Sequence, residues 1–300
     1  MMEQYPESHD KVEAMLQYLW DAEGSDLMPY EDTHHFVEAA TFADDIKYHG
    51  HAWQSDYHFL QQPWIEEGEA SDYELPTKTR YLTNAIPNLV AMIGEKDGTD
   101  YLSSQIYTSI NGYYPDNSNL AKSFALRLLI HYVGDIHQPL HCEDRFNKEN
   151  TTGDKGANTF PLENHRGVDE MHALWDAILW EGYPHQDRPF TDASYDAFQT
   201  KVTDMVNRNK RHIPSKLYSI GNELSWSKDS YDIAITLYDG LTENEAVPQA
   251  YLDKNIPIAE AQLVKGGYRL AFVLDHIFST SNESEDVAKS IAEYLALILQ

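Results

Sequence analysis

LLIHYVGDIHQPLH, Leu128 to His141, is the stretch from which the rest of this chain can be read. Phe124, Leu128, His131, Tyr132 and Asp135 recur three or four residues apart and so share one face of a helix. That face begins apolar, which turns it inward, yet it carries an imidazole and a carboxylate. Burying such groups alone is costly, and the remedies are an ion pair, a hydrogen-bond network or a metal. Gly134 lets a neighbour approach the backbone closely. Pro139 has no amide hydrogen and restricts Gln138, so the helix is expected to stop there. The chain then bends and presents His141 beside the helix end. One helical turn and the bend after it thus offer three candidate ligands.

Working outward, helical spacing dominates. Residues 6–20 open with a proline and carry Val12, Met15, Leu16 and Leu19 on one stripe. Residues 33–48 read as a second helix, with Phe36, Ala40, Asp44 and Lys47 on one face. A loop follows over 49–57, and His58 falls in the extended-looking YHFLQQPW. The acidic segment 66–76 reads as surface. Residues 78–95 read as a helix kinked at Pro87, and the central helix starts near Ser118. The Gly- and Asn-rich run after His141 reads as a loop, and 168–180 as a strong helix. Further helices are expected at 192–208, 214–240, 258–278 and 284–299. No alternating strands, repeats or linkers stand out. The expected fold is all-α, a single mainly helical domain over residues 1–300.

The chain has 22 basic against 49 acidic residues, a formal charge of -27. Nucleic-acid binding through a basic surface is disfavoured, because neutralising phosphates takes Lys and Arg. An enzyme whose positive charge comes from bound metal ions is not excluded. Cys142 is the only cysteine, so no intrachain disulfide can form and a metal site must rest on His and Asp. No apolar run is long enough to span a membrane, and the opening MMEQYPESHD is no secretory signal. Asn150 and Asn282 stand in glycosylation-type triplets.

Two pairs carry the chemistry: His131 with Asp135, and His172 with Asp176. Each is spaced i, i+4, which sets an imidazole and a carboxylate side by side on an apolar helix face. One such pair alone is ordinary. Two, with His141 behind a helix-stopping proline, favour metal. Asp44 and His58 are uninformative singly, and His137 faces away from Asp135. Imidazole and carboxylate without thiolate suit zinc, with manganese and iron behind it. Several such ligands from different helices point to more than one ion, a pattern that favours phosphate-ester hydrolysis by metal-activated water.

HYVGDIHQPLH (131–141) with MHALWD (171–176) resembles the S1/P1 nuclease family, related to bacterial zinc phospholipase C. The family's other motifs have similar counterparts in FADDIK (42–47), YHF (57–59), GAN (156–158) and GGYRLAFVLDHIF (266–278), so the likeness runs from about residue 33 to 278. The resemblance implies one zinc on Asp44, His58, His131 and Asp135, and a second on His141, His172 and Asp176, with Asp135 also reaching towards a third. It implies that Asp44 orients or deprotonates the attacking water, Lys47 contacts a substrate phosphate, and Phe59 and Asn158 line a nucleobase pocket. The implied activity is hydrolysis of single-stranded RNA or DNA, with 3′-nucleotidase action, by a monomer that is secreted or works in an acidic compartment.

The chain departs from the family pattern in three places. It lacks the tryptophan-led start that supplies the third zinc's ligands; His9 is the only local counterpart, and the expectation is that the family's N-terminal ligand segment is missing. Gln61 replaces a base-binding aspartate. Ala157 replaces a glycine, and its methyl is expected to crowd a close backbone approach. Two alternatives share the ligand pattern: a phospholipase C-type lipid phosphodiesterase, and a zinc-binding homologue with impaired catalysis.

Overall fold

The first helix, α1 (Pro6–Glu23), starts on a proline whose missing amide hydrogen costs nothing in a first turn, and it buries Val12, Leu16 and Leu19. The computed structural model describes residues 5–77, 81–95, 101–183, 185–215, 219 and 221–279. After α1 come α2 (His35–Glu38), α3 (Phe42–Asp45), α4 (Leu82–Gly94), α5 (Gln105–Tyr113) and α6 (Ser118–Asp135). Then follow α7 (Met171–Ala177), α8 (Asp192–Arg208), α9 (Asn222–Ala234) and α10 (Gln249–Phe278). Short 3₁₀ turns join many of them, and the fold is mainly helical as expected.

Helix α6 is the centre. Asn117 caps it by accepting from the Leu120 amide, and nearly every residue from Ser123 to Asp135 is buried. A helix apolar on all sides is one surrounded by others. Accordingly α6 packs against α1, α4, α5 and α10. Its polar exceptions have partners: Arg127 forms a fork to the Glu31 carboxylate at 2.8–3.2 Å and donates to the Leu16 carbonyl of α1 at 3.1 Å.

The helix ends as its sequence demands. Gln138 accepts from the Leu140 amide, and Pro139–Cys142 make one 3₁₀ turn. Here two apolar cores of the described residues meet. Cys142 belongs to the core around α1, α4 and α6, and Leu140 to a second core built on Met171, Leu174, Trp175, Leu237 and Tyr251.

Several elements differ from expectation. Residues 33–48 are not one helix but α2 and α3 alternating with 3₁₀ turns at Ala39–Thr41 and Ile46–Tyr48. Glu38 helps to break the run: its carboxylate accepts from the amides of Asp32, His34 and Phe190 and holds three segments together there. Two small sheets also form. β1 (Gln62–Ile65) runs parallel to β2 (Glu143–Phe146), and β3 (Pro161–His165) pairs antiparallel with β4 (Val168–Glu170). His58 is not extended; it ends a 3₁₀ stretch, Ala52–His58. Helix α10 starts at Gln249 and runs through Pro257, rather than starting at 258. The expected helix 284–299, residues 78–80 and Asn282 lie outside the described residues. Among the described residues no helix is long and apolar enough to cross a membrane.

Candidate metal centre

The parallel pair β1–β2 sets up the site. Its strand β2 starts two residues after His141, and the Leu60 amide donates to the His141 carbonyl at 2.8 Å. His58 is thereby drawn against the end of α6. Asp44 arrives on α3, and His172 and Asp176 on α7, which the β3–β4 hairpin and the bond from the Met171 amide to the Phe160 carbonyl hold in place. Asp44, His58, His131 and Asp135 come together as one group, and His141, His172 and Asp176 as another beside it.

In the first group, His58 Nδ1 and His131 Nε2 are 3.0 Å apart, and Asp135 Oδ2 lies 2.9 and 3.1 Å from them. Asp44 closes the group at 3.7 Å from His58 Nδ1 and 3.6 Å from His131 Nε2. Four ligands placed tetrahedrally at the usual zinc distances of about 2.0–2.1 Å would lie about 3.3 Å from one another, so these edges straddle the size required. In the second group Asp176 lies 3.7 Å from both His141 Nε2 and His172 Nε2, and the two imidazoles stack at 5.0 Å. Asp135 also lies beside the second group, its other oxygen 3.5 Å from the outer nitrogen, Nδ1, of His141.

The outer ring nitrogens show which atoms face inward. His131 donates from Nδ1 to the Ala40 carbonyl at 2.6 Å, His141 to the His58 carbonyl at 2.9 Å, and His172 to the Gly156 carbonyl at 2.7 Å. Each therefore turns its Nε2 to the site, the usual support for a ligating imidazole. Asp135 Oδ2 is buried, and the groups it faces are the ring nitrogens of His58 and His131. Electron pairs converge there, and only a cation or protons can hold them together. The donor set therefore fits a divalent metal.

The electrostatics agree. Burial would raise Asp135, but His131, His141 and His58 outweigh it and hold its carboxyl well below the usual range. Against burial, the Asp135 carboxylate lifts His131 to about 9 in the metal-free protein. Burial lowers His58 and His172, favouring the neutral form that ligates. Asp44 and Asp176 are half-exposed, so the group has a buried floor and two carboxylates at an open rim.

Of the expected substrate residues, Lys47 and Phe59 touch the metal-centre side chains. Lys47 Nζ is 2.7 Å from Asp44 Oδ1. The Phe59 ring rests 4.8 Å from that of His141 and 5.9 Å from that of His172. Asn158 turns its amide back to the Lys155 carbonyl at 2.7 Å. His9 instead lies beside Asp10 and Glu13 of its own helix. His137 does face elsewhere, donating to the Val133 carbonyl and meeting Arg269.

Crowding at Ala157 is not found. Its methyl is fully buried in the second core, and the close approach falls one residue earlier, where a Cβ on Gly156 would stand 2.2 Å from the Leu140 carbonyl oxygen. Sequence reasoning also missed the supports. Gln138 donates to Asp176 at 2.9 Å, and Gln54 accepts from His58 at 2.7 Å. The i, i+4 spacing of Gln54 and His58 was the available signal.

Fold and site define a class: mainly helical proteins with two adjoining His/Asp groups, each able to hold a metal ion. The family model that matches is S1/P1 Nuclease, over residues 5–279, and the chain belongs to that family of nucleic-acid-hydrolysing enzymes. It is 27% identical to Endonuclease 2 of Arabidopsis thaliana over 84% of this chain and 81% of that one. It is 25% identical to Nuclease S1 of Aspergillus oryzae over 83% and 81%. The match to Endonuclease 1 of Arabidopsis thaliana, 27% identical, spans 55% of this chain and only 52% of that protein.

Proposed function

We propose that the protein is a zinc-dependent phosphodiesterase that cleaves single-stranded RNA and DNA. The observation that carries this reading is the meeting of Asp44, His58, His131, His141, His172 and Asp176 around the buried Asp135 carboxylate, whose Oδ2 faces two ring nitrogens. The first zinc falls to Asp44, His58, His131 and Asp135, and the second to His141, His172 and Asp176. Zinc held there would supply an acidified water and positive charge for the phosphoryl and leaving oxygens.

The chain's own groups do the rest. Asp44, half-exposed at the rim, is placed to accept a proton from the attacking water and to orient it. Lys47, whose ammonium already sits on Asp44, offers its remaining donors to a phosphate oxygen. Phe59, packed on the His141–His172 stack, presents an aromatic face for a nucleobase, and Asn158 keeps its side-chain oxygen for the base edge. This reading carries with it action outside the cell or in an acidic compartment.

Metal analysis of natively purified protein should find zinc. Cleavage of single-stranded DNA and RNA should stop on chelation and return with zinc, while a phosphatidylcholine analogue is left intact. Asp135→Asn should cost at least about 100-fold in activity, the upper end of what loss of a mere supporting partner costs. Zinc-free protein that gains no nuclease activity on loading would sink the proposal.

A further inference from the structure

Four imidazoles point into the metal centre, and three are held by backbone carbonyls: Ala40 for His131, His58 for His141 and Gly156 for His172. No side-chain substitution removes a carbonyl. His58 is the exception. Its outer nitrogen, Nε2, meets the side-chain oxygen of Gln54 at 2.7 Å, and it alone presents Nδ1 inward.

Gln54 is fully buried, and its surroundings permit one orientation of the amide. Its nitrogen lies 2.6 Å from the Ala43 carbonyl, which can only accept. The Gln54 oxygen must then face the Tyr132 hydroxyl, 2.7 Å away, and His58 Nε2. Tyr132 donates to that oxygen, and His58 must donate too. The His58 proton is therefore fixed on Nε2, and Nδ1 is left bare towards Asp135 and His131. The same amide holds the peptide preceding Asp44, so one side chain sets both the ring state of His58 and its spacing from Asp44.

Resting on the metal-centre reading above, we infer that Gln54 is the positioning residue of the first zinc group, selecting the His58 tautomer that can ligate. The alternative tautomer is close at hand. With its proton on Nδ1, His58 would donate to Asp135 Oδ2 across 2.9 Å, closing the position the ion needs. Without the Gln54 oxygen, Nε2–H has no acceptor in its buried site, and the ring gains by moving its proton inward. Metal must then displace that internal hydrogen bond. The second group, whose imidazoles lean on carbonyls, is spared.

The test uses the full chain with Gln54→Met and Gln54→Glu. Zinc affinities are measured by competition with a chromogenic chelator. The His58 tautomer is read from long-range ¹⁵N–¹H spectra of zinc-free protein, and thermal melts of the same samples report packing. Gln54→Met should bind one of two zinc equivalents about 10–100-fold more weakly, with the other unchanged, and its His58 proton should appear on Nδ1. Gln54→Glu keeps an acceptor for His58 but loses the bond to Ala43. It should melt lower, as the Met variant does, yet keep near wild-type zinc affinity and the Nε2–H tautomer. The inference is overturned if both equivalents weaken together, if neither does, or if the Glu variant falls with the Met variant. Wild-type protein that binds no zinc would instead overturn the metal-centre reading itself.

Discussion

At the scale of single residues, Gly156 bears more than its size implies. It adopts φ +65°, a side chain there would strike the Leu140 carbonyl, and its own carbonyl holds His172. Gly156→Ala must shift backbone rather than a flexible side chain. Left-handed strain alone costs about 1–3 kcal/mol, and the shift moves the support of His172. The variant should melt lower and lose one zinc equivalent, which melting curves with metal analysis will show; an unchanged melt and full zinc content would contradict this account. Its neighbour Ala157 also has positive φ, yet its methyl fills part of the second core. The sequence marked a Gly–Ala–Asn loop here, but which residue lacked room depended on Leu140, sixteen positions earlier. The pairs His131/Asp135 and His172/Asp176 were readable because each lies on one helix, where spacing alone fixes adjacency. Asp44 and His58 were not, since what faces them comes from other elements, and only the likeness to a family singled them out.

At the scale of elements, α6 is held to its neighbours by a buried ion pair as well as by packing. Arg127 ties α6 to Glu31 and to the α1 backbone, and His35 stands beside Glu31 at 3.7 Å. Burial raises the Glu31 carboxyl, but His35 and Arg127 outweigh it and leave it lowered. A carboxyl depressed in the folded state adds stability above its unfolded pKa, and that stability is lost as pH falls through the folded value. Glu31→Gln leaves Arg127 buried without its charge partner and should cost about 3–5 kcal/mol at neutral pH. The gap between wild type and variant should shrink on acidification below the usual carboxylate range. Urea unfolding at several pH values will check this, and a gap that widens in acid would refute it.

Helix α6 was legible because its apolar run and its proline stop agree. The small strands were not: four residues of mixed polarity carry no period, and β1 and β2 become strands only by meeting each other. Helix α5 went unread because its stripe, Ile106 and Ile110, is only two residues long. The start of α10 was hidden by Pro257, which breaks the pattern without ending the helix.

At the scale of the whole molecule, an acidic chain must act on an acidic polymer. A protein that neutralises several phosphates with basic side chains loses about 10³–10⁵ in affinity between ~50 and ~200 mM salt. Here the formal charge is -27 and attraction is confined to the centre, so screening removes repulsion as much as it removes attraction. KM for long single-stranded DNA should stay nearly flat, or fall, as salt is raised over that range. Steady-state kinetics will decide, and a steep loss would point to a basic track absent from this account.

His58 serves twice. Its ring belongs to one group, while its carbonyl steadies His141 in the other, and Asp135 reaches both. The bond to His141 runs through the His58 backbone and not its ring, so a change in the ring's own partners stays in the first half. The halves then load independently: at half-stoichiometric zinc, native mass spectrometry should show molecules carrying a single zinc in at least their statistical share.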